Sequence, residues 1–363
     1  MKLSNNLKIY FLKYISRRNA RPLILSSSPK LLILMNQKIG DMIVCSPILR
    51  EIKLAYPKAE LHVLASEVNK ELVLSSPYVD KVHVYKNQWQ KLLPLLLTLR
   101  KLNFDVAIEL EYKVVSRIII LLRIVNPNCI LSVSKSEGRY GMDPHAVMPY
   151  DYYTNPNLVH QRDTCLDILR LLNINYKNKS YDVFYPEKNK LDALSFLSSY
   201  KTSKIVIGLN IEGSSIEKRI SNEDVKRIIL ELYSMNNNII VILLHKPDDR
   251  DMVSKLIPYE ASSYAFLSYP TKSVLDLAVI IDNLDLIISP DTSIVHMACA
   301  FNKPLVAIYR KDMKLFDIWH PISDCNYVVF SNYEDSLKSI NVGDIVNKTS
   351  KLIKEHKLLK SYK

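Results

Sequence analysis

Strand-length runs with no polar face constrain this chain more than any other feature. Strand-length patterns stand at 31–35, 60–65, 81–85, 105–110 and 129–133, most of them largely apolar, separated by helical patterns at 42–56, 67–75, 89–101 and 114–125. Strands that are apolar on both faces must be covered on both faces, and strands joined through helices run parallel. The series therefore predicts a doubly wound α/β sheet. Residues 134–160 break the pattern with Tyr, Pro, Asn and Gly and read as loop, followed by a helix at about 160–172. A second series begins with a strand at 204–209. It continues through a helix at 222–235, a strand at 238–244, helices at 248–257 and 273–283, a strand at 284–288, a helix at 293–301 and a strand at 305–309. For 363 residues, two such halves fit better than one domain. The expected organisation is an arm at 1–30, a Rossmann-like domain at 31–185, a linker at 186–203, a second Rossmann-like domain at 204–341 and a terminal helix at 342–363. Ligands of open parallel sheets bind beyond the carboxyl ends of the strands, so two facing sheets predict an interdomain cleft.

The formal charge of +12 is unevenly placed. Residues 1–30 hold seven Lys or Arg and no acid, whereas the rest carries 42 basic against 37 acidic side chains. On a helical wheel Leu3, Leu7, Tyr10, Phe11, Tyr14 and Ile15 share one face, with Lys2, Lys13 and Arg17 opposite or at its edge. Two readings fit this arm: a helix lying in an anionic membrane interface, or a helix packed on the protein with a solvated basic side. Lys8 and Lys13 interrupt the apolar stretch, which argues against a signal peptide, and no apolar run approaches the ~20 residues of a membrane span. Cys45, Cys129, Cys165, Cys299 and Cys325 form no CxxC pair and mostly sit in apolar runs. That pattern predicts reduced, buried thiols in a cytosolic protein, with no zinc cage and no disulfide framework.

Chemistry concentrates where strands hand over to helices. In "LDLIISPDTSIVHMACAFNKPLVAIY", Asp291, Thr292 and Ser293 follow a strand and open a helix, and His296 lies one turn on. Unpaired N–H groups and the helix dipole make such a place an anion site, to which the hydroxyls add donors. The same residue types are also common helix caps, and His296 also reads as a core histidine. In "LLILMNQKIGDMIVCSPILREIKLAYP", Gly40 permits a tight turn and Asp41 opens the first helix as either a general base or a cap. After the strand at 204–209, Gly213, Ser214 and Ser215 read as a loop that bends toward an anion, with Lys218 or Arg219 to neutralise it, or as a solvated loop. Asp248 and Asp249 in "HKPDD" either cap the following helix or bind ligand hydroxyls.

Two of these segments together resemble the ADP-heptose:lipopolysaccharide heptosyltransferase family, glycosyltransferase family 9. "KIGDMIVCSPILREIKLAYPKAELHVL" is similar to the family's Gly-Asp, apolar run and Thr/Ser-Pro. "SPDTSIVHMACAFNKPLVAIY" is similar to its Pro-Asp-Thr-Gly, His, Ala-rich helix and Lys-Pro. The resemblance spans most of 31–345 and implies the GT-B architecture, an acceptor-side first domain, a nucleotide-sugar-binding second domain and a last helix able to cross back to the first. It implies that Asp41 is the general base, that Asp291, Thr292, Ser293 and His296 bind donor, that Lys218 binds the donor phosphates and that Asp249 contacts the nucleotide. Ser293 stands where the family has Gly, and "LLHKPDD" lacks the Gly-rich turn common after that strand. Arg139, His160 and Arg162 are candidates for acceptor phosphates, each with a capping or solvated alternative.

The implied activity is inverting transfer of a sugar, most simply heptose from ADP-heptose, onto a lipopolysaccharide core or related phosphorylated glycolipid. No cofactor and no metal are expected: no Asp-x-Asp pair stands directly at a strand end, and Lys218 with a helix amino end can stabilise a leaving diphosphate. The expected location is the inner face of the cytoplasmic membrane, by peripheral contact. Three other readings compete. A dinucleotide oxidoreductase lacks its G-x-G-x-x-G, since Gly40 stands alone after the first strand. A nucleic-acid binder lacks any motif beyond the arm. An inactive GT-B scaffold keeps the fold without the chemistry.

Overall fold

The apolar runs fold into two parallel sheets, each in its own unit. The computed structural model describes residues 2–140, 143, 149–200, 204–213 and 215–357, and contacts divide the chain into units at 1–179 and 180–363.

The first unit runs α1 (Lys2–Ser16), β1 (Lys30–Met35), α2 (Ile39–Cys45), α3 (Pro47–Ala55), β2 (Glu60–Ala65), α4 (Lys70–Ser75), β3 (Lys81–Val84), α5 (Trp89–Lys101), β4 (Val106–Glu109), α6 (Ser116–Val125), β5 (Cys129–Ser132), β6 (Tyr152–Tyr153) and α7 (Gln161–Leu171). Its strands pair in the order β3-β2-β1-β4-β5-β6, all parallel. β1 is buried from Leu31 to Met35 and β4 along its whole length, as strands covered on both faces must be. The helix expected at 42–56 is two helices. Pro47 cannot donate an N–H into a continuous helix, so α3 starts afresh with Pro47 in its first turn. β6 forms inside the segment read as loop, and its two residues are too few to show a period.

The second unit runs α8 (Lys190–Ser198), β7 (Ile205–Asn210), α9 (Asn222–Met235), β8 (Ile239–Leu244), α10 (Arg250–Ser254), β9 (Ala265–Leu267), α11 (Val274–Asn283), β10 (Leu286–Pro290), α12 (Ser293–Ala300), β11 (Leu305–Tyr309), α13 (Met313–Trp319), β12 (Asn326–Phe330) and α14 (Val342–Glu355). The order β12-β11-β10-β7-β8-β9 is again all parallel. Part of the segment read as linker is α8, which packs on α11. α14 packs within this unit on α9, β11 and β12.

Few glycines are available to end helices, and asparagine takes their place. Asn103, Asn126, Asn173 and Asn302 follow α5, α6, α7 and α12 with φ of 50°, 52°, 56° and 49°. Asparagine tolerates this left-handed region better than other residues with a Cβ, because its short amide bonds locally.

The arm is docked. Leu12 is buried, and Leu12 and Ile15 pack with Val114 and Ile119 beside α6, while Leu7, Tyr10, Phe11 and Tyr14 point to solvent. The apolar residues thus divide between two sides of α1 instead of sharing the single face of the wheel. Arg18 anchors the end of the arm through an ion pair to buried Asp151 at 3.2 Å and through bonds to the carbonyls of Pro127 and Asn128. Asp151 also accepts from the backbone of Arg21 and Ile130. The thiols differ from expectation at one place: a disulfide joins Cys45 of α2 to Cys165 of α7, with Cα atoms 5.7 Å apart. Both apolar runs carry their cysteine to the α2–α7 contact, and spacing in sequence does not show that meeting. Asp151→Ala should cost about 3–5 kcal/mol, because it leaves Arg18 buried without its partner, and thermal and chemical denaturation check this.

Candidate functional site

The winding of each sheet reverses once, and charged groups gather at both reversals. In the second unit β8 and β9 lie on one side of β7 and β10 on the other, so the chain segments leaving β7 and β10 diverge and open a crevice at their carboxyl ends. Asn210 ends β7 and is buried. Its amide donates to the Ser289 hydroxyl at 3.0 Å, to the Thr292 hydroxyl at 3.3 Å and to the Glu212 carbonyl at 3.0 Å. Asn210 thus ties the two strand ends together. It was not singled out from the sequence, because the neighbour it binds is 79 residues away.

Asp291 follows β10, and its carboxylate forms an ion pair with Lys218. Thr292 caps α12, accepting from the Ile294 N–H at 3.3 Å, and Ser293 is the first helical residue. The cap reading of Thr292 is therefore realised, and the partly positive helix end stands beside the Lys218 ammonium. Gly213 makes this approach possible: a Cβ there would overlap the Lys218 side chain and lie 2.5 Å from its carbonyl oxygen. Ser214 lies outside the described residues, and Ser215 is exposed.

His296 is buried one turn into α12, with Tyr181 and Trp319 around it at ring-centroid distances of 6.1 and 6.2 Å. Burial holds its pKa down to about 4, with Asp291 opposing and Lys218 reinforcing the shift. The ring is neutral at pH 7, and its Nδ1 is buried with no hydrogen-bond partner among the described residues. Asp249 is half-buried at the start of α10 without a side-chain cap bond. It makes no ion pair with Lys218, which Asp291 holds.

The first unit repeats the reversal between β1 and β4. Asp41, half-buried, lies in the first turn of α2, just past β1. Glu109 ends β4 in register with Leu34 of β1, and its buried carboxylate accepts from Ser132 at 2.8 Å and pairs with Lys135. Glu111 follows two residues on. Burial raises its pKa to about 7, helped by the negative charges of Glu109 and Asp41. The chain's "ELEY" displays both carboxylates, yet only the sheet order sets them beside Asp41.

The candidate acceptor residues lie on segments next to this group: Gln161, between His160 and Arg162, donates to the Leu110 carbonyl at 3.0 Å, and Ser136 donates its N–H to the Tyr112 carbonyl. His160 is the buried N-cap of α7, accepting from the Arg162 N–H at 3.1 Å. Arg162 is paired with Asp163 at 3.1 Å. Arg139 is exposed and lies over the Tyr140 ring at 5.3 Å. His160 and Arg162 thus serve the start of α7.

Two doubly wound α/β units with charged switch points define the GT-B class of glycosyltransferase fold, and comparison with solved structures agrees. The glycosyl transferase family 9 structure from Veillonella parvula aligns with a TM-score of 0.74 at 17% identity, covering 93% of this chain and 100% of that one. Escherichia coli heptosyltransferase WaaC, solved with ADP, aligns with a TM-score of 0.69 at 15% identity, covering 89% and 99%. In sequence, lipopolysaccharide heptosyltransferase 3 of Escherichia coli K12 is 21% identical over 346 residues, 87% of this chain and 96% of that protein. Residues 94–348 match the profile of glycosyltransferase family 9 (heptosyltransferase). The chain belongs to that family and is a glycosyltransferase. Asp41 precedes the matched residues.

A histidine whose folded pKa lies below its unfolded value binds fewer protons when folded. The stability it contributes is complete above about pH 6.5 and lost as pH falls through about 4. His296→Leu should flatten that decline by an amount on the order of 3 kcal/mol, which melting temperatures measured from pH 7 to pH 4 would reveal.

Proposed function

We propose that this glycosyltransferase moves heptose from ADP-heptose onto the core of lipopolysaccharide or a related phosphorylated glycolipid, with inversion and without a metal. The observation that carries the donor side is the Lys218–Asp291 pair beside the amino end of α12 at the switch point of the second sheet. A cation and a helix amino end suit a diphosphate, and the fold's likeness to WaaC, solved with ADP, supports that choice. On this reading Lys218 leaves Asp291 for the phosphates when donor binds. Thr292 and Ser293 line the helix end, and neutral His296 supplies a hydrogen bond through its unpartnered Nδ1. Asp249 is the residue for the nucleotide's hydroxyls.

Asp41 is the base. The acceptor hydroxyl oxygen attacks the anomeric carbon from the face opposite the leaving group, and Asp41 takes the hydroxyl proton. The bond from that carbon to the phosphate oxygen breaks, and the diphosphate leaves with the electron pair. Its developing charge is met by Lys218 and α12. A positioned base contributes about 10²–10⁴ in rate. Asp41→Asn should therefore bind ADP as the wild type does and lose at least about a hundredfold in transfer. Transfer within threefold of wild type, about the scatter of such assays, removes Asp41 from the role. Lys218→Ala should weaken ADP binding in calorimetry; unchanged affinity ends the phosphate-site reading. A thermal-shift panel of nucleoside diphosphates reads out the base.

The arm belongs to the same proposal. The outward side of α1 presents Leu7, Tyr10, Phe11 and Tyr14 with exposed Lys13 and Arg17 nearby, a composition suited to the interface of an anionic membrane. Among the described residues no helix is long and apolar enough to cross a bilayer. Because Leu12, Ile15 and Arg18 hold the arm on the first unit, point changes test it better than deletion. Phe11→Glu with Tyr14→Glu should release the protein from anionic liposomes at low salt without lowering its melting temperature. Equal sedimentation of variant and wild type leaves α1 as a packed helix only.

A further inference from the structure

Three helices, α1, α6 and α5, cover one face of the first sheet, and their charge is one-sided. α1 and α5 each pack on α6. Leu92 and Leu96 of α5 and Leu121 of α6 bury against Leu32 and Ala107 of the sheet. The chain crosses from β3 to β4 in the direction opposite to its crossing from β1 to β2, so right-handed crossovers put α5 on the face opposite α2 and α3. α2, α3 and α7, which pack together there, carry four basic and four acidic residues. α1, α5 and α6 carry eight basic residues and no acid.

The cations of these helices meet carbonyls and rings. Arg117 of α6 lies over the Trp89 ring at 5.2 Å and donates to the Asn87 carbonyl at 2.8 Å. Arg100 of α5 donates to the Ile124 carbonyl of α6 at 3.0 Å. Lys8 of α1 lies over the Tyr140 ring at 5.4 Å. Of the acids on the segments that adjoin α1 and α6, Glu137 is held by Lys113 and Asp151 by Arg18. Apolar side chains stand among these charges. Trp89, Leu93 and Leu97 recur every four residues along α5 and are 41%, 45% and 48% exposed, a spacing that sets them on one side of the helix. That side leans toward α6, as the reach of Arg100 and the stacking of Trp89 show, and there Ile120 and Ile124 are half-buried. On the far flank of α6, α1 turns Tyr10, Phe11 and Tyr14 to solvent.

We propose that this three-helix face is the surface by which the first unit lies on an anionic lipid membrane, with α5 as a second contact besides α1. The proposal rests on the membrane reading of α1 and extends it to a surface of which α1 is one edge. Exposed apolar side chains within a polar rim mark a docking surface. Each basic residue close to an anionic bilayer strengthens binding about fivefold. Leucines and aromatic rings enter the headgroup boundary, where tryptophan and tyrosine keep the ring buried and the polar edge wet. A nucleic acid would answer the charge and leave Leu93 and Leu97 unused. A second copy joined about a two-fold axis would bring the same cations face to face. Negatively charged lipid answers both the charge and the leucines. With these helices on the bilayer, the first sheet lies along it, about one helix diameter (~10 Å) above the surface. The strand ends and Asp41 then open along the membrane, where a lipid-borne hydroxyl stands.

The chain has two tryptophans, Trp89 on this face and Trp319 in the second unit, so emission reports on α5. With vesicles of phosphatidylglycerol and phosphatidylcholine at low salt, the full chain should sediment with the lipid, and brominated acyl chains should quench its emission. Trp89→Phe, which keeps Trp319, should lose that quenching. Leu93→Glu with Leu97→Glu should lower the partition coefficient by about tenfold or more at an unchanged melting temperature. Lys91→Gln with Lys101→Gln leaves the apolar stripe whole and should lower it by about tenfold, with a weaker dependence on salt. If both α5 variants bind like the wild type and Trp89 is unquenched, while Phe11→Glu with Tyr14→Glu is released, the face is overturned and α1 is the whole contact. If the α5 variants are released and the α1 variant stays bound, α1 drops out and the face stands. Equal binding of the wild type to anionic and to pure phosphatidylcholine vesicles ends both readings. A dimer seen by light scattering that Leu93→Glu with Leu97→Glu dissolves, without vesicle binding, gives the stripe to a second copy and overturns the proposal.

Discussion

Parallel pairing of β1 with β4, and of β7 with β10, is the contact on which the rest of this molecule depends. A strand paired in parallel on both sides and covered on both faces has no room for charge along its length, and the burial of β1, β4, β7 and β10 is accordingly close to complete. Charge is admitted only where the strands stop. Because each sheet reverses its winding at these pairings, the helices leave to opposite sides and the strand ends are left uncovered between them. Asp41, Glu109 and Glu111 occupy one such place, and Asn210, Lys218 and Asp291 the other.

The two places are built alike and charged differently. In the second unit an ammonium meets a helix amino end, and the carboxylate of Asp291 holds that ammonium in position. In the first unit Lys135 pairs with the Glu109 carboxylate and donates to the Glu111 backbone carbonyl, with Asp41 in the helix that follows β1. The first arrangement suits an anion and the second suits a proton. In the proposed scheme the first meets the departing diphosphate and the second the proton of the arriving hydroxyl.

The fold was legible wherever burial shows in a linear pattern. The strands around Leu31–Met35, Ile239–Leu244 and Leu305–Tyr309 announce themselves as unbroken apolar runs. β6 and β9 did not, being two and three residues long, and β12 did not because its residues are mostly half-buried. α8 was missed because its apolar residues (Leu191, Ala193, Leu194, Phe196 and Leu197) are spread around the helix with no single clear face, and only Ala193 and Leu197 are buried. In the candidate site, Asp41, Asp291 and Lys218 follow strand ends and could be named from the chain. Asn210 and Glu111 could not, because what makes them matter is a neighbour supplied by sheet order. His160 and Arg162 also make local bonds at the start of α7 that the chain alone does not reveal: His160 accepts from the Arg162 N–H and Arg162 pairs with Asp163.

The asparagines behind α5, α6, α7 and α12 have a consequence for how much stability this chain keeps unused. Each sits in a left-handed conformation that a residue with a Cβ adopts at a cost and glycine adopts freely. Glycine would also loosen the unfolded chain, which offsets part of any gain. What remains is a few tenths of a kcal/mol at each helix end. All four positions follow helix termini and lie outside the charged groups of the strand ends, so the reserve could be drawn upon without touching the chemistry. A protein so short of glycine has left a margin for thermal hardening in its punctuation.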